Sequence, residues 1–211
     1  MSDEGSRQPG RLSGELDDDG VPDEVFLVVD EAGEPSCQAF VVVASEGSLR
    51  SAPIEVPDIP FGMGFPRLIS LPLIDDRPGA EIVIGVAAGA STQFAAVYTA
   101  IDGAIVQVVR EGATAPQENL LAFGGSVGHQ DAFDCAPEMG EGVVVVSEAA
   151  PVGGGERFRY VRRFFASPTP GEMTEEPELR EEGTIRFNRF DSLHEFPNAP
   201  FGSCPTGEIA G

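Results

Sequence analysis

The segment Glu15 to Asp23, E-L-D-D-D-G-V-P-D, runs without a break into the apolar stretch Val25 to Val29, and this junction constrains the fold more than any other feature of the chain. Val25, Phe26, Leu27, Val28 and Val29 are β-formers with no helical period, so the acidic stretch is a loop that feeds a strand. Within it, carboxylates stand at every second position. That spacing suits a hard cation held by oxygen. Glu15, Asp17, Asp19 and Asp23 offer side-chain oxygens, Val21 offers its carbonyl, and Gly20 permits the sharp turn that aims them inward. A helix-flanked calcium loop fits poorly, because its twelfth position needs a bidentate Glu and here holds Phe26 or Val28, depending on the start. Two readings of these residues stay open: a calcium-binding loop, and a solvated acidic turn before an edge strand.

Strand signals recur along the whole chain, with Gly, Pro, Asp and Asn between them and little apolar spacing of helical period. The fold class read from this is all-β. Strands are expected at 25–29, 38–45, 51–56, 67–72, 82–86, 94–100, 105–109, 143–147, 158–166 and 184–188. Phe40 to Val43 and Val143 to Val146 are apolar on both faces, as inner strands of packed sheets are. The length of 211 residues suits one domain with a sizeable core. Residues 1–14 read as a disordered leader, and residues 15–211 as a single domain. Pro57 to Pro66 reads as a Pro- and Gly-punctuated loop whose Phe61, Met63 and Phe65 cap the core, and Ser167 to Glu182 as an exposed acidic excursion.

The stretch LDDDGVPDEVFLVV resembles the D-x-D-G-D-G-x-x-D-E-hydrophobic signature of FG-GAP or VCBS-type repeats, the blade units of integrin alpha-chain propellers and of many bacterial extracytoplasmic proteins. A second copy runs from Pro66 through Val109 in the same order: strand, acidic turn, Glu before a strand, small-residue turn, strand, D-G turn, strand. Its acidic turn keeps Asp75 and Asp76 but has gained Arg77 and Pro78, so structure without calcium is expected there. A weaker third copy starts near Gly124. The repeat units span about 15–56, 66–111 and 123–190, giving antiparallel meanders in a propeller-like array of about three blades, closed or open, or a twisted sandwich. The resemblance implies calcium at Asp17, Asp19, the Val21 carbonyl and Asp23, with Glu15 where the family more often has Asp. It also implies a secreted or surface-anchored module, such as a lipoprotein, whose export signal this chain does not carry. The ligand would be a protein or carbohydrate at the cell surface.

Charge narrows the partners further. Against 35 acidic residues stand 13 basic ones, giving a net charge of -22, which repels nucleic acid and anionic membranes. All of the basic residues are Arg. Four of them, Arg157, Arg159, Arg162 and Arg163, interleave with Phe158, Tyr160, Phe164 and Phe165, and such a strand is expected to pair with carboxylates across the sheet. No run is long and apolar enough for a transmembrane segment. Of Cys37, Cys135 and Cys204, the last two lie in the turn-like contexts FDCAP and GSCPT and are the expected disulfide. Three reduced cytosolic thiols are the alternative. Neither His129 nor His194 lies at metal-ligand spacing from a cysteine, and no G-x-S-x-G elbow surrounds Ser126 or Ser192, so no catalytic residue is assigned. The function expected is a non-enzymatic binding or structural module with one calcium-stabilised loop. The alternatives are a secreted hydrolase with an acidic cleft and a cytosolic acidic scaffold.

Overall fold

The computed structural model describes residues 10–30, 38–54, 65–126, 128–153, 157–186, 196 and 200–208. Three four-stranded antiparallel meanders make up most of it. The first is β1 (Leu12–Gly14), β2 (Asp23–Asp30), β3 (Gln38–Ser45) and β4 (Ser48–Pro53), which form a sheet of their own. The second is β5 (Arg67–Ser70), β6 (Ile82–Ala88), β7 (Thr92–Ile101) and β8 (Ala104–Gln107). After β9 (Val109–Arg110) and β10 (Leu121–Ser126) comes the third, β11 (His129–Cys135), β12 (Val144–Val152), β13 (Arg157–Thr169) and β14 (Glu172–Glu175). β15 (Glu181–Arg186) then pairs with β13.

Strand β10 pairs with β7 on one side and β11 on the other, which fuses the second and third meanders into one large sheet. That sheet curls, and a short parallel pairing of β9 with β14 draws its ends together without closing a barrel. The fold is all-β, as the punctuated strand pattern predicts.

Two cores follow from the alternation of side chains along the central strands. Ile82, Ile84, Ala96 and Tyr98 face the small sheet and pack with Val25, Leu27, Val41 and Val43. Val83, Ala95 and Val97 point the other way, into the curl, where they meet Phe123, Phe133, Val144, Val146 and Phe165. β6 and β7 are thus buried on both faces. On β12, Val144 and Val146 belong to the inner core, whereas Val145 and, just before the strand, Val143 pack with Phe164 on the outer side.

The segment 200–208 laces the three meanders together. Phe201 stacks edge-on against Phe133 at 4.8 Å, and Cys204 is disulfide-bonded to Cys135. The chain then passes the second meander, where Leu73 N–H donates to Pro205 and Gly207 N–H donates to Leu71, and Glu208 bridges to Gly14 of β1.

Three sequence expectations change. Leu12–Gly14, assigned to a disordered leader, is strand β1, because its backbone pairs with Asp23 to Val25. The fourth strand begins at Ser48 rather than Ser51, because Glu46 and Gly47 make a tight turn at positive φ that lets pairing resume at once. Residues 167–182 are not an excursion. They contain the end of β13, all of β14 and the start of β15. Residues 57–64 lie outside the described residues.

Closing a loop of 69 residues, the Cys135–Cys204 bond is expected to contribute about 4 kcal/mol by chain entropy. Cys204→Ser should lower the urea-unfolding free energy by roughly that amount under oxidising conditions, and reductant should then have no further effect.

Candidate metal centre

Each meander carries a loop between its first and second strands, and the three loops are built alike. A buried apolar residue opens each one, and its backbone N–H, lost to water, must find an acceptor. Leu16 N–H donates to Asp23 Oδ2 at 3.1 Å, and Ile74 N–H donates to Glu81 Oε2 at 2.8 Å, each across seven residues. In the third loop, Ala136 N–H spans the same interval to the Val143 carbonyl at 2.8 Å. The loops also stack. Ala80 N–H donates to the Glu15 carbonyl at 2.8 Å, and a Cβ on Gly79 would lie 2.4 Å from the Leu16 carbonyl oxygen. A Cβ on Gly142 would come to 3.1 Å from the Asp76 nitrogen.

In the first loop, Asp18 and Gly20 at positive φ reverse the chain so that alternate carboxylates gather. Glu15, Asp17 and Asp19 each place an oxygen within 4.8 Å of the others. Glu15 Oε1 accepts the N–H groups of Asp17 and Asp19, and Asp19 Oδ1 accepts that of Val21. Three carboxylates on an open loop offer the oxygen donors and negative charge that a hard divalent cation takes.

Asp23 lies outside this group. It is 1% exposed and turned inward, where it accepts from Leu16 N–H, the Ser45 hydroxyl and the Arg50 guanidinium. Its length explains the difference: a side chain that closes the loop through Leu16 N–H cannot also reach the open face. Burial, followed by the charge of Asp17, raises its pKa, while Arg50 opposes the rise. Arg50, which sequence reasoning missed, also pairs with Asp17 Oδ2 at 2.7 Å. Its place opposite Val43, on the strand after the loop's own hairpin, is what brings it there.

The second loop shows what happens when spaced acids are replaced. Arg77 folds back on Asp75, its Nε donating to Oδ2 at 2.9 Å, so a tethered guanidinium lies against the carboxylate. Glu81, in the position of Asp23, is 4% exposed, and burial and the charge of Asp75 push its pKa up to about 8.

The histidine on β11, His129, lies among three polar neighbours. Thr92 Oγ1 and Asp131 Oδ2 both approach the same nitrogen of His129, Nε2, the latter at 3.5 Å, and Ser126 Oγ is 3.4 Å from Nδ1. Asp131 and Ser126 thus stand at opposite ring nitrogens, each at a distance longer than the short bonds of a proton relay. Cys37 and His194 lie outside the described residues. Three of the four arginines of β13 pair with carboxylates as their setting predicts: Arg159 with Glu182, Arg162 with Glu181 and Arg163 with Glu148.

Two measurements probe this loop architecture. In Gly79→Ala, the clash with the Leu16 carbonyl and the φ of +100 both oppose the new side chain, so a loss of about 2 kcal/mol or more is expected by denaturant unfolding. For Glu81, the folded carboxyl keeps its proton to about pH 8, whereas the unfolded one releases it near 4.5. The folded state binds more protons in that window, so stability falls as pH rises through it. Glu81→Gln should flatten this fall and be the more stable protein at pH 8, by on the order of a few kcal/mol.

Compared with known proteins, the chain matches no family model, no curated protein and no solved structure. Its functional reading therefore rests on the geometry of the loops.

Proposed function

We propose that this chain is a non-enzymatic, extracytoplasmic binding or structural module of FG-GAP or VCBS-type repeats, with its first loop stabilised by calcium. One observation carries the reading. Three meanders place the same loop between their first and second strands, each closed by the same seven-residue hydrogen bond, and the first loop keeps a group of three carboxylates. Glu15, Asp17 and Asp19 would hold the ion, which would neutralise charges that otherwise repel one another across the turn. With three carboxylates, and with Arg50 competing for Asp17, affinity belongs in the weak, extracellular range of roughly 0.1 to 1 mM. The Cys135–Cys204 disulfide supports an oxidising compartment. Among the described residues, no helix is long and apolar enough to cross a membrane. A protein or carbohydrate at the cell surface is the proposed partner.

Thermal unfolding with calcium and with excess chelator tests the proposal. Calcium at about ten times its Kd should stabilise the protein by about 1.4 kcal/mol. Asp19→Asn removes a carboxylate without touching the Arg50 pairs and should abolish that gain. An unchanged midpoint in the unsubstituted protein would leave the loop a solvated acidic turn.

A further inference from the structure

Three carboxylates are buried among the described residues, Asp23, Glu81 and Asp134. The first two close the acidic loops. Asp134 stands instead on β11 beside Cys135 and is 3% exposed. Its Oδ1 accepts the N–H of Cys135 at 2.9 Å and that of Ser203, on the C-terminal segment, at 2.8 Å. Its Oδ2 is buried with no donor, and among the described residues it is the one carboxylate oxygen left so. Asp23, by contrast, has a donor on each oxygen. A carboxylate can only accept, so Oδ2 lacks a hydrogen that its neighbours in the oxidised protein do not offer.

The two sulfurs show where that hydrogen comes from. Cys204 Sγ lies 3.9 Å from Asp134 Oδ1, and Cys135 Sγ lies 3.9 Å from the Leu73 carbonyl oxygen. Joined in a disulfide, neither sulfur carries a hydrogen, so neither contact is a hydrogen bond. On reduction each thiol has an acceptor within reach of a sulfur donor, and the acceptor beside Cys204 is the carboxylate with capacity to spare. Both cysteines are partly exposed, which gives a thiol from solvent a path to the bond. The site is thus furnished for the reduced pair as well as for the disulfide.

We propose that Cys135–Cys204 is a redox-active couple that exchanges with an external dithiol, and that Asp134 positions and stabilises the Cys204 thiol of the reduced form. A thiolate of the dithiol attacks one sulfur and forms a mixed disulfide, while the other cysteine leaves as a thiolate and takes up a proton. The dithiol's second sulfur then displaces the first cysteine. Two electrons and two protons pass to the protein, and the dithiol departs as a cyclic disulfide. The bond that breaks is the covalent tie between the third meander and the segment 200–208. Phe201 against Phe133 and the Ser203 N–H on Asp134 remain as its non-covalent ties, so the fold survives with its strap unlatched.

Equilibration in mixtures of reduced and oxidised dithiothreitol, without denaturant, tests the proposal. Free thiols are alkylated and counted by mass spectrometry, and the fold is followed by amide NMR. The count should rise and fall reversibly by two, with a folded spectrum in the reduced form. Asp134→Asn keeps an acceptor for the two N–H groups but removes the charge and the spare oxygen. It should move the equilibrium about fivefold toward the disulfide, because the reduced form loses a charge-assisted hydrogen bond. If that variant fails to fold, the unsubstituted protein still decides the matter. The proposal is overturned if the bond resists dithiothreitol until the protein unfolds, if reduction itself unfolds the protein, or if folded Asp134→Asn leaves the equilibrium unchanged.

Discussion

A backbone N–H that opens a buried turn has to be given an acceptor, and the three loops of this protein are three solutions to that one requirement. Leaving such a group unsatisfied would cost about 1 to 3 kcal/mol, a sizeable part of the net stability of a small domain. Asp23, Glu81 and the Val143 carbonyl each meet the need from seven residues downstream, just where the next strand begins. The bond fixes where that strand starts and hence which of its residues face the core. Val25 and Val83, each two residues beyond the acceptor, are fully buried as a result.

The choice of acceptor then sets the electrostatics of each loop. An aspartate at 1% exposure needs a counter-charge, and Arg50 supplies it from β4. The longer glutamate of the second loop has no arginine of its own, since Arg77 is spent on Asp75, and so it stays protonated to about pH 8. A carbonyl carries no charge, and the acids of the third loop, Glu138 and Glu141, stay on its exposed side, where Glu138 pairs with Arg162. Moving from the first loop to the third, the charge on the acceptor is paired, then neutralised, then absent.

Much of this was legible in the sequence, because it depends on local pattern. The punctuated apolar runs gave the all-β class, and the acidic turn before Val25 marked the first loop. The turn contexts of Cys135 and Cys204 marked the bond between them. What escaped were features that depend on partners distant in sequence. β1 is three residues long and has no strand signal of its own; it exists because Asp23 to Val25 and Glu208 lie beside it. No strand is expected from the sequence at β10 or β11, since Gly124 and Gly125 mask the alternation there. Arg50 and Asp23 stand 27 residues apart, and no spacing rule joins them.

The same distinction separates the acidic loop from the arginine pair where the curled sheet opens. The acidic loop is contiguous, so its carboxylates announce themselves, but their hydrogen bonds to the loop's own backbone already meet part of their need. Arg110 and Arg163, from strands more than fifty positions apart, line one cleft with Phe165, and each arginine alone reads as an ordinary surface charge. Only the curl of the large sheet makes them neighbours and sets Glu111, Glu118 and Glu175 around them. In an acid-rich protein, local sequence reveals where charge is abundant, whereas the partners that each charge meets become visible only when the strands are assembled.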